Sequence, residues 1–399
     1  MSRTSRNTFS GIIFWSVISA AFIGPGTVTT AGKAGAEFGS SLIWALLFST
    51  IATILLQEVS ARIAITSGKN LGEAIRLRFD VPGFRWIRYF VGISVVFGCA
   101  AYQTGNLLGA VSGMSLWIGL NAQAATLTLG LACGLTLWLG RPEGISRFLG
   151  LVVAVMGLLF VAVAFRTKIP AGEWLSGTFI PAIPENSGLL VIGLVGTTIV
   201  PYNLFLGSGI GKGQDIQTMR RGLIPAVAIG GVISVAILIA ATGLDGTFSF
   251  QELAELLRKE TGEWAAICFA MGLFAAGFTS AITAPLASAI TAQSIWGNDD
   301  PAWKSDGRNF RQVWLLVLMA GIVFGVSGIR PVPAIIAAQA LNGLLLPFFS
   351  VCLLLVVNDK KIMPPGAVNK PWMNVAMILI VGITFFLGAI NLWRAYQSL

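Results

Sequence analysis

The chain has 399 residues, 55% of them hydrophobic and only 11% charged, and its mean hydropathy is +0.81. Soluble domains carry about a quarter of their residues as charges, so a water-soluble globule is excluded and a polytopic membrane protein is indicated. Histidine is absent. That removes His general bases, Ser-His-Asp triads and His-held zinc or haem, so no enzyme chemistry and no cofactor is expected.

Eleven apolar runs reach spanning length: 11–31, 41–66, 87–112, 122–140, 147–168, 188–210, 222–243, 264–293, 312–329, 332–357 and 371–394. Each suffices for a helix across the hydrocarbon core. The first run follows Arg3 and Arg6 and so looks like the start of a signal peptide. It reads better as an uncleaved span, because it continues into a Gly-Pro break. Cys99, Cys133, Cys268 and Cys352 fall in separate apolar runs without metal-type spacing and read as small buried hydrophobes.

Sorting the loops by side places 19 of the 26 Lys and Arg on the side of the N-terminus. The positive-inside rule then expects a cytoplasmic N-terminus and, after eleven spans, an external C-terminus, in a bacterial inner membrane. The net charge of +9 is therefore a topology signal; no nucleic-acid partner is expected. Ser249-Phe250-Gln251-Glu252 is a capping-box pattern that opens a short external amphipathic helix. The run Gly209-Ile210-Gly211-Lys212-Gly213 lacks the phosphate-loop spacing, which argues against an ATP-driven pump.

Two runs are broken near their middle. One carries Gly24-Pro25-Gly26-Thr27 and the other Val200-Pro201-Tyr202-Asn203. Proline removes a helical hydrogen bond, and lipid cannot replace it, so such breaks face protein or a wet cavity. Pro25 lies 14 residues into its run and Pro201 lies 13 into its own, five spans later. An odd number of spans per repeat inverts the second repeat. This is the layout of an inverted-repeat transporter with a midplane substrate site. It predicts an all-α fold in one transmembrane domain over 1–399: a first repeat over 11–168, a second over 188–357, and an additional span at 371–394.

At these motifs the chain resembles the Nramp family of proton-coupled divalent-metal transporters, which share the LeuT-type fold. Ala31-Gly32-Lys33-Ala34-Gly35-Ala36-Glu37-Phe38-Gly39, Leu55-Leu56-Gln57-Glu58-Val59-Ser60-Ala61-Arg62 and Thr66-Ser67-Gly68-Lys69-Asn70-Leu71 look like that family's signature around its second span. Ala275-Ala276-Gly277-Phe278-Thr279-Ser280-Ala281-Ile282-Thr283 is similar to its eighth, and Gln339 with Leu346-Pro347-Phe348 to its tenth. Pro201, Asn203, Leu204, Leu206 and Ser208 fit its sixth. The departures fall on the chemistry. The family's Asp-Pro-Gly-Asn has Gly24 for Asp and Thr27 for Asn; its Met-Pro-His has Val200 for Met and Tyr202 for His; a second His corresponds to Gly207. The third-span acids that the family uses in proton transfer read Gln103 and Asn106.

A dehydrated transition-metal ion needs anionic or soft ligands, and this set has none. Glu58 is the one carboxylate inside a predicted span, and Arg62 stands at i+4 to pair with it. Half-helix N-termini favour anions, and Gly24 and Gly26 let a ligand approach the backbone. The expected cargo is therefore a small anion such as bicarbonate, or a small carboxylate or amino acid. Thr27 and Tyr202 are the leading candidate ligands; Thr30, Val200, Asn203 and Gln339 line the same place. Thr279 and Ser280 are candidates for a coupling ion, Na⁺ or H⁺. The alternatives are a divalent cation carried largely hydrated, such as Mg²⁺, or a transport-dead receptor or scaffold. The bilayer and a small solute or inorganic ion are the expected partners.

Overall fold

A computed structural model describes residues 23–140, 143–211, 213–297 and 300–397. The expectations for Arg3, Arg6, Arg141, Lys212 and the first half of the first run lie outside these residues. All regular structure among the described residues is helical. In chain order the helices are α1 Pro25–Phe38, α2 Ile43–Ser67, α3 Leu71–Arg78, α4 Arg85–Ser115, α5 Ala122–Leu139, α6 Glu143–Arg166, α7 Ala171–Phe179 and α8 Gly188–Thr198. They continue with α9 Pro201–Gly211, α10 Ile216–Ala241, α11 Phe250–Thr261, α12 Glu263–Trp296, α13 Arg308–Val326, α14 Pro331–Val357 and α15 Pro371–Gln397. Among the described residues ten stretches are long and apolar enough to cross a membrane; the first, Pro25–Ser67, runs through two of the expected spans.

The expected ends hold to within four residues except at the first span and at the seventh, where α10 starts at Ile216 and not at 222. The first run was expected to stop at Ala31, yet α1 continues to Phe38. Lys33 and Glu37 pair at i,i+4 with Nζ 2.5 Å from Oε1, so the polar residues extend the helix by almost two turns. A 3₁₀ turn over Gly39–Leu42 then leads into α2. Gly68 ends α2 in the left-handed region at φ 70°, a cap that glycine adopts without strain. Asn70 opens α3 with a reciprocal capping box to Glu73, both bonds 2.9 Å. The short capped helix forms at the expected place: Ser249 Oγ accepts from Glu252 N at 3.0 Å at the start of α11.

The interior is a bundle in which glycines let backbones touch. A Cβ on Gly109 of α4 would stand 2.2 Å from Pro25, and one on Gly113 would stand 2.5 Å from Phe274 N of α12. The Gly109-x-x-x-Gly113 pattern is thus spent on packing within the chain. Cys99, Cys133 and Cys352 are buried and all four cysteines are free.

Candidate functional site: where the starts of two helices meet

Helices α1 and α9 start alike, each with proline as its first residue. Helix α1 starts at Pro25, with Gly24 as an N-cap that has no side chain to offer. Helix α8 ends at Thr198, Ile199 and Val200 leave the helix, and α9 resumes at Pro201. Proline is favoured at a first helical position because that N–H has no helical partner anyway. Pro225, Pro285 and Pro347 instead lie inside continuous α10, α12 and α14.

A carbonyl that the second break frees is met from outside the span: Thr53 Oγ1 of α2 donates to Thr198 O at 3.2 Å. Ser60 Oγ of α2 also donates to Leu204 O within α9 at 2.6 Å. Ser208 Oγ accepts from Leu71 N at 2.9 Å and so ties α9 to the start of α3. Non-helical backbone at this depth survives because protein groups satisfy it.

The breaks are joined directly. Thr27 Oγ1 and Thr197 Oγ1 are 3.2 Å apart, linking α1 to α8. Gln339 of α14 lies over Gly26: a Cβ there would stand 2.0 Å from Gln339 Nε2 and 3.0 Å from Thr197 Oγ1. Tyr102 of α4 turns its hydroxyl toward Gln339 and Thr197, and its ring packs edge-on against Tyr202, with centroids 5.9 Å apart at 83°. Thr27, Tyr102, Val200, Tyr202, Asn203 and Gln339 are each no more than 4% exposed, so the site is occluded. Asn203 Nδ2, Gln339 Oε1 and, on α4, Asn106 Nδ2 and Gln103 Oε1 are buried without a hydrogen-bond partner. Gln103 Nε2 donates to Ala281 O at 2.9 Å.

Several expectations change here. Gly26 was expected to leave its backbone open to a ligand; the Gln339 amide occupies that space. Thr30 was expected to face the ligand; its hydroxyl donates to Gly26 O at 2.9 Å inside α1. Thr279 likewise donates to Ala275 O at 2.8 Å in its own helix. Ser280 is better placed, since its Oγ would lie 3.5 Å from a Cβ on Gly24. Tyr102 was not singled out in advance, nor was Thr197. The polar run Tyr102-Gln103-Thr104-Gly105-Asn106 carries the signal that could have found Tyr102, because i and i+4 share a helix face.

Glu58 and Arg62 do pair, Nε to Oε1 3.3 Å, but a second cation joins them. Arg220 of α10 donates to Glu58 Oε1 through Nη2 at 2.6 Å and Nε at 3.0 Å. Arg62 also donates to Ala367 O and, at 2.6 Å, to Asn369 Oδ1. One buried carboxylate thus ties α2, α10 and the connection before α15.

None of the side chains at the breaks is charged. Among the described residues no group of three or more His, Cys, Asp or Glu is placed to hold a metal ion, and the run 11–22 contains no Asp, Glu, His, Cys or Met.

An all-helical bundle with a helix start at Pro25 and an interruption between Thr198 and Pro201 has the fold of a membrane transporter of the LeuT-type class. Residues 16–394 match the family described as natural resistance-associated macrophage protein-like, and the chain belongs to that family, Nramp. It is 28% identical over 371 residues to the divalent metal cation transporter MntH of Verminephrobacter eiseniae, covering 87% of this chain and 81% of that one. In fold it is similar to the Eremococcus coleocola manganese transporter, with TM-score 0.76, 19% identity and coverage of 98% and 87%. A nucleobase-cation-symport-1 family transporter in a closed conformation gives TM-score 0.61 at 15% identity, covering 97% and 93%. The chain is an integral membrane transporter and not an enzyme.

Proposed function

We propose that this transporter carries a small anion of the bicarbonate or carboxylate class by alternating access around the two breaks. The carrying observation is the character of the polar groups there. Asn203 Nδ2 is a buried donor without an acceptor in the first turn of α9, and the start of α1 has no side-chain cap. Orphaned N–H groups and positive helix ends call for an acceptor from outside. Hydroxyls of Thr27, Tyr102 and Tyr202 add neutral hydrogen bonds; no anionic donor competes.

A second reading rests on a different observation. The relatives named above are a divalent metal cation transporter and a manganese transporter, and they favour a cation cargo more than an anion. With this donor set such an ion would keep most of its water, as Mg²⁺ does. The repeat limits 11–168 and 188–357, the additional span 371–394, the cytoplasmic N-terminus and external C-terminus, the bacterial inner membrane and a Na⁺ or H⁺ role at Ser280 belong to the same proposal.

Uptake into liposomes separates the readings. Bicarbonate, small carboxylates and amino acids are offered under Na⁺ or pH gradients, with Mn²⁺ and Mg²⁺ in parallel. Saturable anion flux with no Mn²⁺ binding in calorimetry is the expected result. Micromolar Mn²⁺ binding would sink the anion reading.

A further inference from the structure

Where α3, α14 and α15 meet at their ends, an open cavity of about 560 Å³ lies on the basic side of the chain. Arg78, Lys360 and Lys361 line it against a single carboxylate, Asp359. Arg78 Nε lies 3.0 Å from Asp359 Oδ2, which leaves the two lysines, both exposed, as the excess positive charge. The same cavity includes Leu355 and Ile378, which are 41% and 58% exposed on adjacent spanning helices and therefore face lipid.

We infer that this cavity binds the phosphate headgroup of an anionic phospholipid, with an acyl chain along Leu355 and Ile378. Cationic head and apolar slot are joined end to end at the membrane boundary, the arrangement that recognises an anionic lipid. A soluble ligand would have no use for the slot. The polar wall behind the headgroup is connected to the interior. Asn358 Nδ2 donates to Asn374 Oδ1 at 2.8 Å, and Asn369 Nδ2 donates to the same oxygen at 2.9 Å. Asn369 in turn accepts from Arg62, the partner of Glu58. A bound headgroup thus abuts the hydrogen-bond chain that holds α2 to α10. This inference is independent of the cargo.

The test uses the delipidated full chain in detergent, with lipid adducts counted by native mass spectrometry and unfolding followed by thermal shift. Phosphatidylglycerol should be retained and should raise the melting temperature; phosphatidylcholine and inorganic phosphate should do neither. Lys360→Gln with Lys361→Gln should weaken phosphatidylglycerol binding about thirtyfold, on the scale of two basic residues at an anionic surface. Ile378→Trp, which fills the slot and keeps the charges, should weaken it as well. Equal retention of phosphatidylcholine overturns the inference. So does an equal effect of inorganic phosphate, which would make the cavity a free-anion site. Undiminished phosphatidylglycerol binding in both variants places the lipid elsewhere and overturns it too.

Discussion

At the breaks, polarity is neutral: Thr27, Thr197, Tyr102, Asn203 and Gln339 offer hydroxyls and amides. Farther along α2 the polarity is ionic. Thr53 touches the end of α8, and Glu58 follows five residues later, about 7.5 Å on at helical rise. There one carboxylate sits between two guanidiniums. An ion pair is acceptable where its partners are fixed, because each charge keeps its counter-charge. A site that must accept and release a cargo cannot hold a permanent charge without matching it to that cargo. On the proposed reading the neutral centre is where binding changes, and the ionic cluster is where contacts persist.

The strongest test of this contrast removes the carboxylate. Glu58→Gln leaves Arg62 buried beside Arg220 without its anion, and should cost about 3 kcal/mol of stability, the scale of a broken buried pair, read as a fall in detergent melting temperature. A fall no larger than that of Arg220→Gln would mean that Glu58 is solvated. At the centre, Gly26→Ala drives a methyl into the Gln339 amide and should cost about 1–3 kcal/mol by overpacking. Gln339→Ala in the same chain should recover most of that loss, and strict additivity of the two would show that the amide does not rest on Gly26. Thr27→Val keeps the shape and deletes the bond to Thr197, for about 1 kcal/mol; together with Tyr202→Ala it should lower the flux of the true cargo. Unchanged flux in both would remove these residues from the site.

The mildest test takes the ion pair into water. Hydrogen bonding to Arg258 holds the Glu255 carboxyl below its ordinary range. A depressed carboxylate pKa stabilises the fold above the ordinary value, and that contribution disappears as pH falls through the lowered one. Glu255→Gln should therefore make α11 insensitive to acid in hydrogen exchange, with hardly any change near neutrality, since exposed pairs contribute little. A large neutral-pH effect would contradict the distinction between exposed and buried pairs.

Much of the architecture was legible because lipid imposes long apolar runs. The two breaks were legible because Gly24 and Gly26 flank Pro25, and because the second proline recurs at matching depth. Proline alone would have misled, as Pro225, Pro285 and Pro347 sit in unbroken helices. The extension of α1 was hidden because Lys33 and Glu37 resemble a loop until helical spacing pairs them. Arg220 was counted only as a loop cation for topology, since a contact from α10 to α2 has no local trace. Tyr102 had a local signal, the polar run that continues to Asn106, but its partner had none: α14 brings Gln339 to its hydroxyl from far along the chain.

The amide of Gln339 resting on Gly26 has a kinetic and thermodynamic meaning. It is a competitor tethered inside the chain, and any solute that reaches the Gly26 backbone must first evict it. The measured affinity is then the intrinsic affinity scaled by the fraction of molecules in which the side chain has swung aside. Shortening that side chain would tighten binding at the threshold of the site while removing whatever grip it gives afterwards, so affinity and turnover would move in opposite directions.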